Sequence, residues 1–105
     1  MVARSEVRWL LFNDEAKRRP GLILTRDAVA NRLRTVIVAP LTSTVRGVPS
    51  EVPLGHEQGL PKRCVVSLDN TTGVDIDLLG AVIATLSAEK MAEVCIALAL
   101  AVGCD

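Results

Sequence analysis

Two short polar clusters stand at the ends of apolar runs and are the residues best suited to chemistry. Arg18-Arg19-Pro20 precedes Gly21-Leu22-Ile23-Leu24-Thr25, and Thr42-Ser43-Thr44 closes the run that starts at Thr35. Both lie where rigid elements hand over to connections, which is where sites are usually mounted. An arginine guanidinium neutralises a phosphate with a two-pronged fork, and a threonine hydroxyl adds one more hydrogen bond to the same group. Together they could stabilise the extra negative charge of a pentacoordinate phosphorus. The same residues are also compatible with a salt-bridged connection and a polar strand end, so residue types alone leave both readings open.

Other chemistries are excluded more firmly. His56 is the only histidine, so one chain assembles neither a pair of imidazoles for acid–base phosphodiester cleavage nor a histidine-based metal cluster. It lies in the turn-rich stretch Gly55–Pro61 and reads as a solvated loop residue. No GxxxxGK[ST], HExxH or GxSxG pattern occurs, which removes nucleotide triphosphate hydrolysis, zinc proteolysis and α/β-hydrolase chemistry. Asp75 and Asp77 share a face only in an extended segment, and they read as solvated loop charges in a stretch without Lys or Arg. Neither a metal nor a cofactor is expected. Cys64, Cys95 and Cys104 are too far apart for a metal clip and odd in number. Cys64 and Cys95 read as small buried hydrophobes, Cys104 as exposed.

The elements that must hold these residues follow from hydropathy patterning. Glu6–Phe12 is a strand, Asn13–Arg19 a polar connection, and Pro20 opens a second strand through Thr25, since a first strand residue need not donate to the ladder. Asp27–Arg34 is a helical turn or loop. Thr35–Thr42, β-branched and continuously apolar, is a central strand buried on both faces. Ser43–Pro49 is a loop, and strands follow at Ser50–Leu54, Cys64–Leu68 and Gly80–Leu86. Val74–Leu79 is too charged for a core strand and reads as one helical turn. Ser87 is a good N-cap for a C-terminal helix, with Glu89 in its first turn and Gly103 as its stop. Met91, Val94, Cys95, Leu98 and Val102 form its apolar stripe. Short strands followed by one helix give an α+β fold, a small β-barrel or strongly curved antiparallel sheet closed by a C-terminal helix.

The 105 residues fit one compact domain over 1–105, whose core must come from aliphatic side chains because Trp9 and Phe12 are the only aromatics. No apolar run approaches the roughly 18 residues that span a bilayer, and the N-terminus lacks a signal-peptide centre, so a cytoplasmic location without membrane contact is expected. Net charge is zero, but residues 1–50 hold nine basic and four acidic side chains, and residues 51–105 three basic and eight acidic. The N-terminal bases either present a positive face to phosphates or are solvated and paired with Glu6, Asp14, Glu15 and Asp27.

The order of the pieces adds a resemblance. Lys17–Asp27 is similar to the "RRPxLVLSxD" segment of the MazF/PemK family of type II toxin–antitoxin toxins. Thr35–Thr44 resembles its "VVVAPLTS" strand, and Ile83–Val94 its "GTLSDEKMAEV" strand-to-helix signature. The match runs nearly end to end. It implies an SH3-like β-barrel homodimer and a sequence-specific, metal-independent endoribonuclease acting on single-stranded RNA, whether messenger, transfer or ribosomal, with a cognate antitoxin as partner. Attack of the ribose 2′-hydroxyl would leave a 2′,3′-cyclic phosphate and a 5′-hydroxyl. By motif match the catalytic arginine falls on Arg19 and the catalytic threonine on Thr42, with Arg18, Ser43, Thr44, Arg46 and Asn70 as expected RNA contacts. The chain departs from the family where "QIRT" is replaced by Asn70-Thr71-Thr72-Gly73, which has no arginine. Related CcdB toxins, which poison DNA gyrase, and a degenerate toxin that only binds its antitoxin are the alternative readings.

Overall fold

The structure is a computed structural model that describes residues 1–11 and 18–104. Among the described residues seven strands run in chain order: β1 (Glu6–Leu11), β2 (Arg18–Ile23), β3 (Thr35–Thr42), β4 (Glu51–Leu54), β5 (Cys64–Ser67), β6 (Thr72–Asp75) and β7 (Leu79–Thr85). Helix α1 (Asp27–Ala30) is a single turn between β2 and β3, and α2 (Ala88–Val102) ends the fold. All strand pairs are antiparallel, in the order β4-β5-β3-β2-β1-β7, with β6 also on β3. Consecutive strands pair in β1–β2, β2–β3 and β4–β5, whereas β7 returns to β1 and β3 takes both β5 and β6 across longer separations.

The sheet is strongly curved. Gly59, in the connection before β5, approaches the Ala84 side chain of β7, so the two ends of the strand order meet in space. No ladder joins them among the described residues. The expected α+β architecture of a curved sheet with a C-terminal helix is therefore what forms, as an open barrel. The main core lies between the inner sheet face and α2, with Val7, Leu22, Val66, Leu68 and Val94 almost or wholly sealed from solvent. Each such side chain stabilises the fold by about 1.5–3 kcal/mol. A smaller cluster of Leu10, Ile23, Val36 and Val38 fills the other face.

Helix α2 is set by its ends. Ser87 Oγ accepts the Lys90 N–H at 3.1 Å. Gly103 takes a left-handed φ of 74°, and the Cys104 N–H reaches back to the Ala99 carbonyl at 2.8 Å, a Schellman closure. The buried stripe is Met91, Val94 and Ala97, with Leu98 partly buried. Cys95 and Val102, expected on that stripe, are exposed. A 3.6-residue period carries Ala97 and Ala101 onto the inner face instead.

Two further expectations change. Arg18 and Arg19 belong to β2, opposite Leu11 and Leu10 of β1, because cross-strand pairing carries the strand back past Pro20. Val74–Leu79 is not one helical turn: Thr72–Asp75 pairs with Thr35–Val38, and only Ile76–Leu78 turns. A β3 rich in β-branched residues offers a free edge there, and pairing outweighs the charge of the segment. The expectations for Phe12 and for Asn13–Lys17 lie outside the described residues.

Candidate active site

The site begins where β3 changes partner. Gly21–Ile23 of β2 pairs with Val38–Pro40, and Leu41–Thr42 pairs instead with Val66 and Val65 of β5. The β2 ladder ends at the Gly21–Pro40 pair, and beyond it the two strands part. The gap becomes a cavity of about 510 Å³. Arg18 and Arg19 line it from β2, Thr42, Ser43 and Thr44 from the end of β3, and Lys62 from the connection before β5. Trp9, Pro20, Leu60 and Ile83 form an apolar wall. A volume of this order suits a ligand the size of a small molecule, with a few convergent polar groups to orient it.

Backbone geometry positions the apolar wall. Register shifts interrupt the β1–β7 ladder between Val7 and Arg8 and again between Arg8 and Leu10, the step that contains Trp9. Gly80 lets β7 press against it: a Cβ there would lie 3.1 Å from Trp9 Cβ and 3.3 Å from the Trp9 carbonyl oxygen. The polar wall is held by hydrogen bonds. Thr42 is half-buried, and its Oγ1 accepts the Thr44 N–H at 3.1 Å. That bond fixes the oxygen and leaves the hydroxyl hydrogen to donate to a ligand.

The loop that follows is pinned by Glu51 at the start of β4. Its carboxylate accepts the N–H groups of Arg46 at 3.1 Å, Gly47 at 2.9 Å and Val48 at 3.4 Å. Gly47 has φ 74°, the left-handed step that turns successive N–H groups toward one anion. Across the cavity, burial pushes the Cys64 thiol above its ordinary pKa, and the nearby Lys62 ammonium partly opposes the shift.

Of the residues singled out from sequence, Arg18, Arg19, Thr42, Ser43 and Thr44 line one cavity. Arg46 and Asn70 do not. Arg46 is exposed in the Glu51-held loop, and the Asn70 side chain donates to Ser67 Oγ at 2.7 Å. The N-terminal bases do not converge on one face. Arg4 is bound to the Leu24 carbonyl and to Cys95 Sγ, Arg8 pairs with Glu6 at 2.9 Å, and Arg34 lies 3.6 and 3.3 Å from Asp75 and Asp77. Those two aspartates thus have a cation beside them that the local sequence lacks. Among the described residues no three His, Cys, Asp or Glu gather as a metal-binding group. Cys64 is half-buried and Cys95 exposed, so only the first approximates a buried hydrophobe; Cys104 is exposed as expected.

Lys62 and Trp9 were missed as site residues. A weak signal existed for Lys62, one of only three bases in the acidic half of the chain. Trp9 gave none, because its facing depends on the bulged β1–β7 register.

Comparison with known proteins decides what this scaffold is. Residues 3–102 match the family described as PemK-like, MazF-like toxin of type II toxin-antitoxin system. The chain belongs to that family. It is 42% identical over 108 residues to the probable endoribonuclease MazF5 of Mycobacterium tuberculosis, covering 100% of this chain and 96% of that one. Endoribonuclease MazF3 of the same organism is 47% identical over 74 residues, covering 70% and 72% of the two chains. Among solved structures, M. tuberculosis toxin MazF-mt6 superposes with a TM-score of 0.86 at 38% identity, covering 95% of this chain and 98% of that one. A mycobacterial endoribonuclease in complex with its cognate antitoxin gives 0.86 at 25% identity, covering 100% and 98%. The cavity of this PemK/MazF-family chain is therefore held by a fold shared almost end to end. Among the described residues no helix is long and apolar enough to cross a membrane.

Proposed function

We propose that this chain is an endoribonuclease toxin that cuts single-stranded RNA in the cavity between β2 and β3. The observation that carries this reading is the meeting of Arg18 and Arg19 with Thr42, Ser43 and Thr44 around one cavity, in a chain related to named endoribonucleases. The nucleophile comes from the substrate. The ribose 2′-oxygen bonds to the adjacent phosphorus as it loses its proton, and the bond from phosphorus to the 5′-oxygen breaks. The leaving oxygen takes up a proton, leaving 2′,3′-cyclic phosphate and 5′-hydroxyl ends. Such a reaction requires no side-chain nucleophile and no metal-bound water.

In this reading Arg19 neutralises the phosphorane and assists proton transfer, and Thr42 donates its hydroxyl hydrogen to a phosphate oxygen. Arg18, Ser43 and Thr44 hold the flanking backbone. Sequence preference comes from hydrogen bonds to base edges and from Trp9, the one aromatic side chain at the cavity among the described residues. The active form is a homodimer in the cytoplasm. A cognate antitoxin with an acidic segment covers the same cavity, because a site that attracts phosphates attracts carboxylates too.

The test is incubation of purified protein with total RNA in excess chelator, with fragment ends mapped. Discrete fragments bearing 5′-hydroxyls support the reading. Intact RNA, or cleavage that returns only with Mg²⁺ or Mn²⁺, refutes it. A ternary complex of toxin, antitoxin and uncleavable RNA in native mass spectrometry would refute inhibition by covering.

A further inference from the structure

A second depression, of about 440 Å³, lies on the other side of the connection between β4 and β5. It is lined by Pro53, Leu54 and Gly55–Gln58, together with Arg63 and Lys90. The two hollows share a wall. Leu60, Pro61 and Lys62 face the first and Arg63 faces the second, so residues 60–63 form a ridge between them. Leu60 anchors that ridge in the main core, and Pro61, Lys62 and Arg63 are exposed on its crest. Lys62 lines the first hollow and Arg63 the second, so the two cations lie on opposite flanks of the ridge. The Arg63 stem rests over Gly55: a Cβ there would sit 3.7 Å from Arg63 Cγ.

Charge is sorted along this path. Residues 51–105 contain only Lys62, Arg63 and Lys90 as bases, against eight acidic residues. All three bases line the two hollows, and among the described residues Glu57 is the only carboxylate that joins them. Neither Lys62 nor Arg63 has a carboxylate partner among the described residues, whereas Lys90 pairs with Glu93 at 3.2 Å. An acidic half of the chain that brings all its bases to two adjoining hollows is arranged for a polyanion that occupies both.

We infer that the RNA strand continues from the cleavage cavity over the residue 60–63 ridge into the second depression, with Lys62 and Arg63 holding phosphates on its two flanks. This rests on the nuclease reading above. Pro61 on the crest and Pro53 in the second hollow are exposed and offer apolar faces to bases, so each flank presents a cation and an apolar surface. The ridge is then a specificity element, because it decides which nucleotide beside the cut site is gripped.

The experiment uses oligonucleotides built around a mapped cleavage site, made uncleavable by a 2′-deoxy nucleotide and lengthened one residue at a time on either side. Binding is followed by fluorescence anisotropy at several salt concentrations. Lengthening on one side should raise affinity once the strand passes the ridge, and Arg63→Ala should remove that gain of about two- to fivefold, the scale of one exposed ion pair. The slope of log affinity against log salt should fall by about 0.7 in Arg63→Ala for long strands, and by a similar amount in Lys62→Ala at all lengths. Arg32→Ala removes the same charge from an exposed position outside both hollows and should keep gain and slope. A length series flat on both sides, or an Arg63→Ala protein indistinguishable from Arg32→Ala, overturns the path while cleavage by wild type leaves the nuclease reading standing. Wild type that binds RNA without cutting refutes that reading, and mixed-sequence strands then judge the path. Wild type that binds no RNA overturns both.

Discussion

Glu51 is the residue through which the fold most directly controls the polar wall without touching the cavity. Its carboxylate gathers the N–H groups of Arg46, Gly47 and Val48 at 2.9–3.4 Å. These hold the loop that begins at Ser43 and Thr44. Glu51→Ala removes all of these bonds. Hydrogen bonds to a charged group are worth about 1.5–3 kcal/mol each when buried. Here the donors belong to exposed residues that water can reach, so the full sum does not apply. About 2 kcal/mol for the set is the expected loss of stability, a fall in melting temperature of roughly 8–16 °C for a domain of this size.

Function should suffer beyond stability. With the anchor gone, Thr44 loses its fixed position, and with it the N–H that orients Thr42 Oγ1. Misplacing a catalytic group by about 1 Å can cost up to 10²-fold in rate, so a loss of about ten- to a hundredfold in RNA cleavage is expected at temperatures where the variant is folded. Glu51→Gln separates charge from shape. It keeps the Oε1 acceptor that receives Gly47 and Val48 but loses the negative charge, and it should retain roughly half the stability and most of the activity. Calorimetry and a fluorogenic RNA assay on the same preparations decide the matter. A Glu51→Ala protein with wild-type melting temperature and wild-type cleavage refutes the argument that this carboxylate organises the loop.

Four further outcomes are expected. Arg19→Ala and Thr42→Ala should each lower RNA cleavage by about 10²–10³-fold with unchanged circular dichroism, since in the proposed mechanism each removes one donor from the charged transition state; near wild-type turnover in either moves the catalytic assignment elsewhere. Gly80→Ala should cost about 1–3 kcal/mol by forcing β7 off Trp9, measured by denaturant unfolding, and a neutral result means the bulged ladder yields freely. Burial raises the Cys64 pKa, so the folded protein holds the thiol where an ordinary cysteine would ionise; iodoacetamide at pH 8 should therefore label exposed Cys95 and Cys104 before Cys64, and equal labelling by peptide mass mapping would contradict that order. Light scattering at micromolar concentration should give a dimer mass, because Ile96, Leu100 and Val102 leave α2 an uncovered apolar outer surface, and a monomer would show that this surface stays open.

Local patterning made much of the fold readable. The β-branched Thr35–Thr42 run became the strand on which three others pair, and Ser87 and Gly103 delimit α2 where their capping chemistry requires. The misreadings occurred where pairing overrode local character. Arg18 and Arg19 look like connection, yet Leu10 and Leu11 recruit them into β2. Thr72–Asp75 looks too polar for a strand, yet the open edge of β3 takes it, and Arg34 offsets the charge of Asp75. On α2 the stripe was drawn through Cys95 and Val102, although small Ala97 is what allows close approach to the sheet.

The site divides along the same line. Arg19 and Thr42 stand out in the sequence because each adjoins a proline or a strand end and falls on a family motif. Their meeting does not, since it depends on β3 leaving β2 at Pro40 and joining β5. That change of partner also brings Lys62 to the cavity, 20 residues from Thr42 in the chain. The family motif would put an arginine in the Asn70–Gly73 segment, which has none, and Asn70, the RNA contact expected there, is turned onto Ser67 and lies outside the cavity. What a polyanion encounters is the sum of charges around the hollow, not the motif that supplies them. In the proposed path a cation from the β4–β5 connection faces the same phosphates as one from any other wall. Lys62→Arg should therefore bind RNA at least as well as wild type, whereas Asn70→Arg, placed outside the cavity, should not restore binding to a Lys62→Ala protein. Full rescue by Asn70→Arg, read as recovered affinity and salt slope, would show that the strand takes a route past Asn70 instead of over the ridge.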